Sequence, residues 1–400
     1  MFRSFLPALK STPAYVVDIA ALRRNLECLA NIKQRTGCRV VLATKAFSAF
    51  PFFPLMRPYL DGTTASGIHE ALLGKEKFGK EIHVYSPAYT DGEMEALLPI
   101  ADYICFNSLG QLHRFLPICK ARGKMLGVRI NPDFPQVETA LYDPCSPMSR
   151  FGIRPADLDL VPWEELDFIH VHALSDNMAD KSVNLVHHID KKFGSYIRKV
   201  KEINFGGGHY ITHPDYDRDA LSDALCQFRE KYGVDIVLEP GGAVVLNAGA
   251  LVATVLDTLV NPGGKHMAIL DTSATCHMAD VLNMPYRPDV RGGGKPGEKA
   301  HTYIFGGKSC LSGDIIGEYS FDAPLKPGAH IVFEDMLQYN LVKSTTFNGV
   351  PLPDIVALHE DGSYEVLSRF GYEDFISRLS GTPQTGNIDE EKQQRRQRRA

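Results

Sequence analysis

The 400-residue sequence lacks several features that would assign it to a class at once. It has no run of about 18 apolar residues, the length that a membrane-spanning helix needs. Its first nine residues are too short and too interrupted for a signal peptide. Its eight cysteines form no C-x-x-C pair and show no zinc-ligand spacing. We therefore expect a cytoplasmic protein with reduced thiols and neither a membrane anchor nor a structural metal.

Neither sign of charge is in large excess. The net charge is −5 at pH 7, so no field over the whole molecule attracts nucleic acid or an acidic membrane. The polar segment 381–400 ends in K-Q-Q-R-R-Q-R-R-A, and its composition predicts disorder. RNA binding by this arginine run is the less favoured reading. A small-molecule partner is expected instead.

Short apolar runs recur through the first 250 residues, with amphipathic segments between them. Most runs are continuously apolar, as expected for strands covered on both faces. Eight such βα units in about 200 residues are typical of a (β/α)₈ barrel. A doubly wound open sheet is the alternative, but the sequence lacks its early G-x-G-x-x-G motif. The candidate strands are Val40–Lys45, Gly62–Ser66, Ile82–Pro87, Tyr103–Asn107, Leu126–Asn131, Phe168–Leu174, Ile203–Gly208 and Asp235–Gly241.

The pattern changes near Leu251, where turn residues begin to separate short apolar runs. Asn261-Pro-Gly-Gly264 and Lys326-Pro-Gly328 are two of these turns. The pattern predicts mostly antiparallel sheet in a second domain. We therefore expect a barrel over residues 20–250 and a β domain built from 1–19 and 251–380. Helices are predicted at Ile68–Phe78, Leu109–Arg122, Val183–Val200 and Arg218–Tyr232.

Candidate functional residues lie at the carboxyl ends of the predicted strands, where barrel enzymes place their chemistry. Lys45 ends the first run, His172 the sixth, Gly206–Gly208 the seventh and Glu239 the eighth. Each has an ordinary alternative, such as a lysine that reaches solvent or a tight glycine turn. His170 and His172 share one face of a strand, so a joint metal site is an alternative, but the sequence indicates no third ligand.

One cofactor explains the combination, namely pyridoxal 5′-phosphate (PLP). It needs an amine for an imine, backbone amides for its phosphate, a flat side chain against its ring and an acid at its pyridine nitrogen. Lys45, Gly206–Gly208, His172 and Glu239 supply these in turn. A carboxylate at the ring nitrogen favours an electron sink for decarboxylation, whereas a racemase is expected to use a less acidifying group there.

Longer motifs then give a specific resemblance. They include A-T-K-A-F-S around Lys45, F-G-G-G-H-Y-I-T at 205–212, L-E-P-G at 238–241 and G-G-K-S-C-L-S-G-D at 306–314. From Thr12 to about Tyr372, the chain resembles fold-type III PLP enzymes, the alanine racemase and ornithine decarboxylase group. Within that group it is most similar to carboxynorspermidine/carboxyspermidine decarboxylases. The resemblance implies a homodimer with shared active sites.

The resemblance also implies roles for individual residues. Lys45 is the imine lysine, Glu239 the partner of the ring nitrogen, and His172 the stacking residue. Gly206, Gly207, Gly208 and Gly241, with the Tyr339 hydroxyl, hold the phosphate. Cys310 reprotonates the substrate α-carbon from the neighbouring subunit, and Asp314 binds a substrate amine. The ordinary alternatives are a small buried cysteine, a turn aspartate and an interface tyrosine.

The chain departs from the family pattern on the substrate side. Ser175-Asp176-Asn177 replaces a Cys-Glu-amide run, Gly242 replaces a glutamate, and Gln338 replaces a histidine. Asp176 and Asn177 remain candidate substrate ligands. Such changes alter specificity, so three hypotheses stay open. They are decarboxylation in polyamine synthesis, the same reaction on another aminocarboxypropyl scaffold such as a peptide–nucleotide antibiotic, and a non-catalytic regulatory paralogue.

Overall fold

The computed structural model describes residues 5–137, 139–284 and 286–380, with side-chain burial left undescribed at position 140. The polar segment 381–400, for which the sequence predicts disorder, lies outside these ranges. No helix within them is long and apolar enough to cross a membrane. The described chain forms two β-structures, a closed parallel barrel and a separate mixed sheet.

A strand near the amino terminus, β1 (Ala14–Asp18), precedes the barrel and belongs to the separate sheet. The barrel itself closes in the order β2 to β9, with every neighbouring pair parallel. Each predicted apolar run overlaps one of its strands, so the (β/α)₈ prediction is confirmed. The strands are β2 (Arg39–Ala43), β3 (Gly62–Ala65), β4 (Glu81–Tyr85), β5 (Tyr103–Phe106), β6 (Met125–Ile130), β7 (Phe168–Val171), β8 (Glu202–Asn204) and β9 (Asp235–Leu238).

Helices cover the outside of the barrel, and local sequence fixes their ends. In Ile19–Thr36, the side chain of Asp18 accepts the Ala21 N–H at the amino end, and Gly37 (φ 67°) ends the helix in a left-handed conformation. Arg218–Tyr232 has the predicted bounds, while the helix predicted at 183–200 begins earlier, at Ala179. The other helices around the barrel are Phe53–Met56, Ile68–Leu73 with a π turn at Gly74–Phe78, Asp91–Leu97, Leu109–Ala121 and Ala179–Ile197.

The mixed sheet has the order β13-β12-β11-β10-β1-β15-β16, and β14 pairs with β10. Most pairs are antiparallel, as predicted, but β1 with β15 and β11 with β12 are parallel. Its strands besides β1 are β10 (Gly249–Val260), β11 (His266–Leu270), β12 (His301–Gly306), β13 (Ile315–Phe321), β14 (His330–Glu334), β15 (Asp354–Leu358) and β16 (Tyr364–Ser368). The α-helices of this part of the chain are Ala274–His277, Ala279–Asn283, Asn340–Lys343 and Tyr372–Leu379, with a 3₁₀ turn at Phe347–Gly349. The short helix Gly242–Val245 packs against Ile19–Thr36 of the barrel.

A charged layer fills the barrel at the amino ends of its strands. Arg39 lies 2.7 Å from Glu81 and also pairs with Glu202. The ring of His83 stacks on Tyr103 with 3.9 Å between centroids. Burial raises the pKa of Glu202 to about 7, although Arg39 opposes the rise. These ion pairs occupy one end of the barrel, and the polar residues singled out from the sequence lie at the other.

Candidate active site

A cavity of about 930 Å³ lies at the carboxyl ends of the barrel strands and extends to the segment that follows β14. Barrel residues Lys45, His172 and Glu239 line it from one side. Asp335 and Tyr339, from the segment after β14, line it from the other. Five of the residues predicted to be functional therefore meet in one space: Lys45, His172, Asp176, Glu239 and Tyr339, with Gly208 at the wall.

Lys45 lies two residues beyond β2, in a turn in which the Ala46 N–H donates to the Ala43 carbonyl. The Lys45 side chain is exposed to the cavity, but the protein around the cavity shields it from most of the bulk water. Burial therefore lowers the pKa of the Lys45 ammonium, and repulsion from Arg129 lowers it further. Glu239 offsets only part of this effect. A lysine with a lowered pKa more readily supplies the neutral amine that attacks a carbonyl.

Glu239 follows β9 and is only 7% exposed. Its Oε1 accepts a 2.8 Å hydrogen bond from Asn204 Nδ2, and its Oε2 lies 3.3 Å from His170 Nε2. Burial raises the pKa of this carboxyl, but His170, His83 and Asn204 outweigh burial and hold the pKa at about 2. Glu239 is therefore a carboxylate at neutral pH.

His172 is held by two backbone contacts. Its Nδ1 accepts the Gly207 N–H at 3.0 Å, and its carbonyl accepts from Arg129 at 2.9 Å. Burial, followed by Lys45 and Arg129, lowers the pKa of His172 well below its usual range. The ring is therefore neutral, with its proton on Nε2.

The structure supplies the third possible metal ligand that the sequence did not indicate. Ligand atoms of His170, His172 and Glu239 all lie within 4.8 Å of one another. However, Asn204 already binds Glu239 Oε1, and the Gly207 amide already binds His172 Nδ1. These bonds orient the two side chains within the cavity wall.

The glycine loop after β8 is shaped by close backbone approaches. A Cβ atom on Gly206 would lie 2.7 Å from the Val171 carbonyl oxygen, and one on Gly207 would lie 2.6 Å from that of Glu239. Gly208 has φ 84°, a left-handed conformation that favours glycine. Each substitution would therefore displace strand-end backbone at the cavity wall.

The amides of this loop are not equivalent. The Gly206 N–H donates to Asn204 Oδ1 at 2.8 Å, and the Gly207 N–H donates to His172. Among the described residues, no acceptor takes the amide of Gly208 or of Gly241. The N–H groups of Gly206 and Gly207, which the sequence predicts to contact the phosphate, thus donate to acceptors within the protein. The N–H groups of Gly208 and Gly241 remain available for an anion.

Tyr339 adjoins this wall of the cavity. Its N–H donates to the Ala46 carbonyl at 2.8 Å, which ties it to the turn that carries Lys45. A Cβ on Gly241 would lie 2.6 Å from the Ala46 side chain, so Gly241 is also packed there. Burial raises the pKa of the Tyr339 phenol, and Asp176 and Asp280 raise it further. The phenol therefore stays protonated and can donate a hydrogen bond.

Asp176 and Asn177 differ in what they offer. Asp176 lines the cavity with left-handed backbone (φ 50°), and burial raises the pKa of its carboxyl. Asn177 instead uses its side chain inside the loop, because its Oδ1 accepts the Ser175 N–H at 2.9 Å and its Nδ2 donates to the Gln136 carbonyl. The structure brings Asp176 to the cavity and gives Asn177 a loop-forming role.

Two further predicted residues do not reach the cavity of their own chain. Cys310 is exposed on a loop, where its N–H donates to Asn348 at 2.8 Å. Asp314 is 3% exposed and accepts hydrogen bonds from Ser273 Oγ, the Ala274 N–H and Ser309 Oγ. The expected contact between Asp314 and a substrate amine is therefore corrected, because these donors occupy both of its oxygens.

Arg129 is a site residue that the sequence reasoning missed. It is 5% exposed, and its guanidinium carbon lies 4.7 Å from the Tyr85 ring centroid and 4.6 Å from that of Phe151. Arg129 lines the cavity, and its charge lowers the pKa of both Lys45 and His172. The sequence feature that could have identified it is an arginine inside the otherwise apolar run M-L-G-V-R-I.

Comparison with known proteins agrees with this geometry. A family profile described as pyridoxal-dependent decarboxylase, C-terminal sheet domain, matches residues 14–336. The chain belongs to the pyridoxal-dependent decarboxylase family, and it is a carboxy-lyase of the fold-type III architecture.

Individual relatives cover nearly the whole chain. A carboxyaminopropylagmatine decarboxylase of Synechocystis sp. is 41% identical over 93% of this chain and 97% of its own. A carboxynorspermidine/carboxyspermidine decarboxylase of Campylobacter jejuni is 40% identical over 92% of this chain and 98% of its own. A crystal structure of carboxynorspermidine decarboxylase from Campylobacter jejuni, complexed with norspermidine, has a TM-score of 0.85 at 38% identity, covering 92% of this chain and 100% of that one.

Proposed function

We propose that the protein removes the α-carboxylate of a 3-amino-3-carboxypropyl amine, with PLP as cofactor, in polyamine synthesis. The observation that carries the proposal is Lys45, with a lowered pKa, in the same cavity as the ionised Glu239. The relatives support the substrate class, because both named activities act on a carboxylated aminopropyl amine.

The residues present fit PLP. Lys45 would hold its aldehyde carbon, Glu239 its pyridine nitrogen and His172 one face of its ring. The free amides of Gly208 and Gly241, with the Tyr339 hydroxyl, would hold its phosphate. Gly206 and Gly207 would shape this cradle without donating to it. When bound, PLP supplies an electron sink for the charge left on the α-carbon as CO₂ departs.

The protein's own residues prepare this chemistry electrostatically. The lowered pKa of Lys45 favours the neutral amine, and a carboxylate at Glu239 favours a proton on a nitrogen placed against it. A neutral His172 adds no positive charge beside that nitrogen. Arg129 holds the His172 carbonyl and repels a proton from Lys45, so it is a positioning residue.

The proton that replaces CO₂ is assigned to Cys310 of a second copy of the chain. Cys310 is exposed, and the apolar side chains of Leu311 (45% exposed) and Phe347 (44% exposed) lie on neighbouring surface. A homodimer would cover this surface and carry the thiol into its partner's cavity. All eight cysteines are free thiols, as suits the reducing cytoplasm.

The other hypotheses are weighed by the same residues. The Synechocystis relative is named for an agmatine derivative, so the aminopropyl group carried on another scaffold remains the second candidate. A silent paralogue has no use for Lys45, Glu239 and the free amides of the glycine loop in one cavity. We therefore place it last.

Release of CO₂ from a panel of substrates tests the proposal. The panel contains carboxynorspermidine, carboxyspermidine and carboxyaminopropylagmatine, with diaminopimelate and ornithine as amino acids that lack the aminocarboxypropyl–amine linkage. We expect release from at least one of the first three and none from K45A. Release from diaminopimelate alone, or from none of the five by PLP-loaded protein, would contradict the proposal.

A further inference from the structure

Tyr339 has a backbone conformation that a residue with a side chain rarely adopts. Its φ is 59° and its ψ is −38°. Across it, the Asn340 N–H donates to the Gln338 carbonyl at 2.6 Å, two residues back along the chain. A positive φ with this i to i+2 hydrogen bond defines a γ-turn, which is rare and strained. Strain of this kind persists only where neighbouring groups hold the backbone in place.

The side chain of Asn340 is one of these groups. Its Nδ2 donates to the same Gln338 carbonyl at 3.2 Å, so this carbonyl accepts two hydrogen bonds from one residue. Nδ2 also lies 4.0 Å from Met336 Sδ. The reverse amide orientation would set Oδ1 against the Gln338 carbonyl. Oδ1 is buried and has no hydrogen-bond partner among the described residues, so the side chain is held through its nitrogen.

Other contacts anchor Tyr339 on both sides. Its N–H donates to the Ala46 carbonyl at 2.8 Å, in the turn that carries Lys45. Its carbonyl accepts the Lys343 N–H at 2.9 Å, and the Lys343 ammonium lies 5.2 Å from the centroid of its ring. Asp280, 2.9 Å from that ammonium, fixes its position. The φ of Tyr339 therefore sets where its side chain lies between these anchors.

The positive φ determines the direction of the Tyr339 side chain. This angle is the rotation about the N–Cα bond. With the N–H held on Ala46, a return to the usual φ near −60° would turn the side chain by roughly 120° about that bond. The phenol would then leave the part of the cavity wall that it occupies. The strained turn is therefore the feature that keeps the hydroxyl in the cavity.

We infer that Asn340 is a positioning residue for the cofactor phosphate. By binding the Gln338 carbonyl, it holds the γ-turn, and the turn directs the Tyr339 hydroxyl to the phosphate. This inference rests on the proposed function, in which that hydroxyl donates to the phosphate. A backbone N–H binds the carbonyl in any γ-turn, so the second bond, from Nδ2, is what an asparagine adds at this position.

The test is a double-mutant cycle on the PLP affinity of the full-length protein. The dissociation constant is measured by titrating PLP into protein stripped of cofactor and following the visible absorbance. Y339F removes a hydrogen bond to a charged phosphate and should raise the constant about tenfold. N340A should raise it by a similar factor, because the hydroxyl is no longer held in place. The double variant should stay at about tenfold, whereas independent losses would multiply to about a hundredfold.

Two comparisons separate positioning from packing. N340L keeps a side chain of similar size without a donor, so it should weaken PLP binding as N340A does. Wild-type affinity in N340L would overturn the inference, because it would show that Asn340 acts by packing. The matched control is N31A, on the exposed face of the Ile19–Thr36 helix, and it should leave the constant unchanged.

Phosphorus NMR of bound PLP gives a readout that does not depend on affinity. Y339F, N340A and N340L should shift the phosphate resonance in the same direction, and N31A should not shift it. Unchanged affinity in N340A or in Y339F, or a multiplied loss in the double variant, would overturn the inference while CO₂ release by the wild type still upheld the decarboxylase. A wild type that binds no PLP would instead overturn the proposed function.

Discussion

Asp314 gives the sharpest test of the structural correction, because the structure makes it the anchor of the loop that carries Cys310. Its oxygens accept from Ser273 Oγ at 2.8 Å, the Ala274 N–H at 2.7 Å and Ser309 Oγ at 2.6 Å. In D314N, an NH₂ group replaces one of these acceptors and faces donors. Hydrogen bonds to a charged group contribute about 1.5–3 kcal/mol each, so losing two should lower the free energy of unfolding by about 3–6 kcal/mol.

Urea unfolding of the PLP-loaded protein measures this loss, and kinetics at a temperature where the variant is folded measure its consequence. A displaced Cys310 loop should lower kcat while the KM for the substrate stays near wild type. D322N is the control, because Asp322 is 81% exposed and its ion pair is with Lys299. It should change the free energy of unfolding by less than about 1 kcal/mol. If D314N unfolds like the wild type but has a higher KM, Asp314 is an amine ligand and the loop-anchor account is wrong.

Two more predictions follow from the cavity. Burial raises the pKa of Asp335 to about 7, the Asn247 N–H opposes the rise and Asp176 adds to it, so Asp335 gains a proton and loses its charge as pH falls through 7. Asp335 lines the cavity, so the KM of a cationic substrate should rise between pH 8 and pH 6 with a smaller change in kcat. A flat or falling KM would show that the charge of Asp335 does not attract the substrate. In G208A, the left-handed backbone (φ 84°) becomes strained and the added carbon meets the Leu174 carbonyl, so we expect a loss of about 1–3 kcal/mol in unfolding free energy and weaker PLP retention on dialysis. Stability and PLP content equal to the wild type would show that the Gly208 loop is not a tight cradle.

Much of the fold was predictable because buried parallel strands leave a direct trace in sequence. The eight apolar runs each overlap a barrel strand, and turn-rich segments beyond Leu251 separate strands of the mixed sheet. The parallel pairing of β1 with β15 joins segments more than 330 residues apart in the chain, and no local pattern encodes it. The residue ranges 20–250 for the barrel domain and 1–19 with 251–380 for the β domain remain predictions.

The site was predictable where chemistry required a particular residue type at a strand end. Lys45, His172 and Glu239 were found in this way, and all three line the cavity. Tertiary contacts decided the rest. Asp314 looked like a turn or ligand residue, but two of its donors, Ser273 and Ala274, come from a segment far away in sequence. The contact between Gly242 and Gln338 joins positions that sequence separates by 96 residues.

The central claim is that Lys45 is the residue that binds PLP, and one measurement tests it most directly. Wild-type protein loaded with PLP is treated with borohydride, digested and analysed by mass spectrometry. The account predicts that the phosphopyridoxyl mass is found on the peptide that contains Lys45 and that visible absorbance is lost in parallel. A protein that retains no PLP, or a label found on a different lysine, would contradict the account.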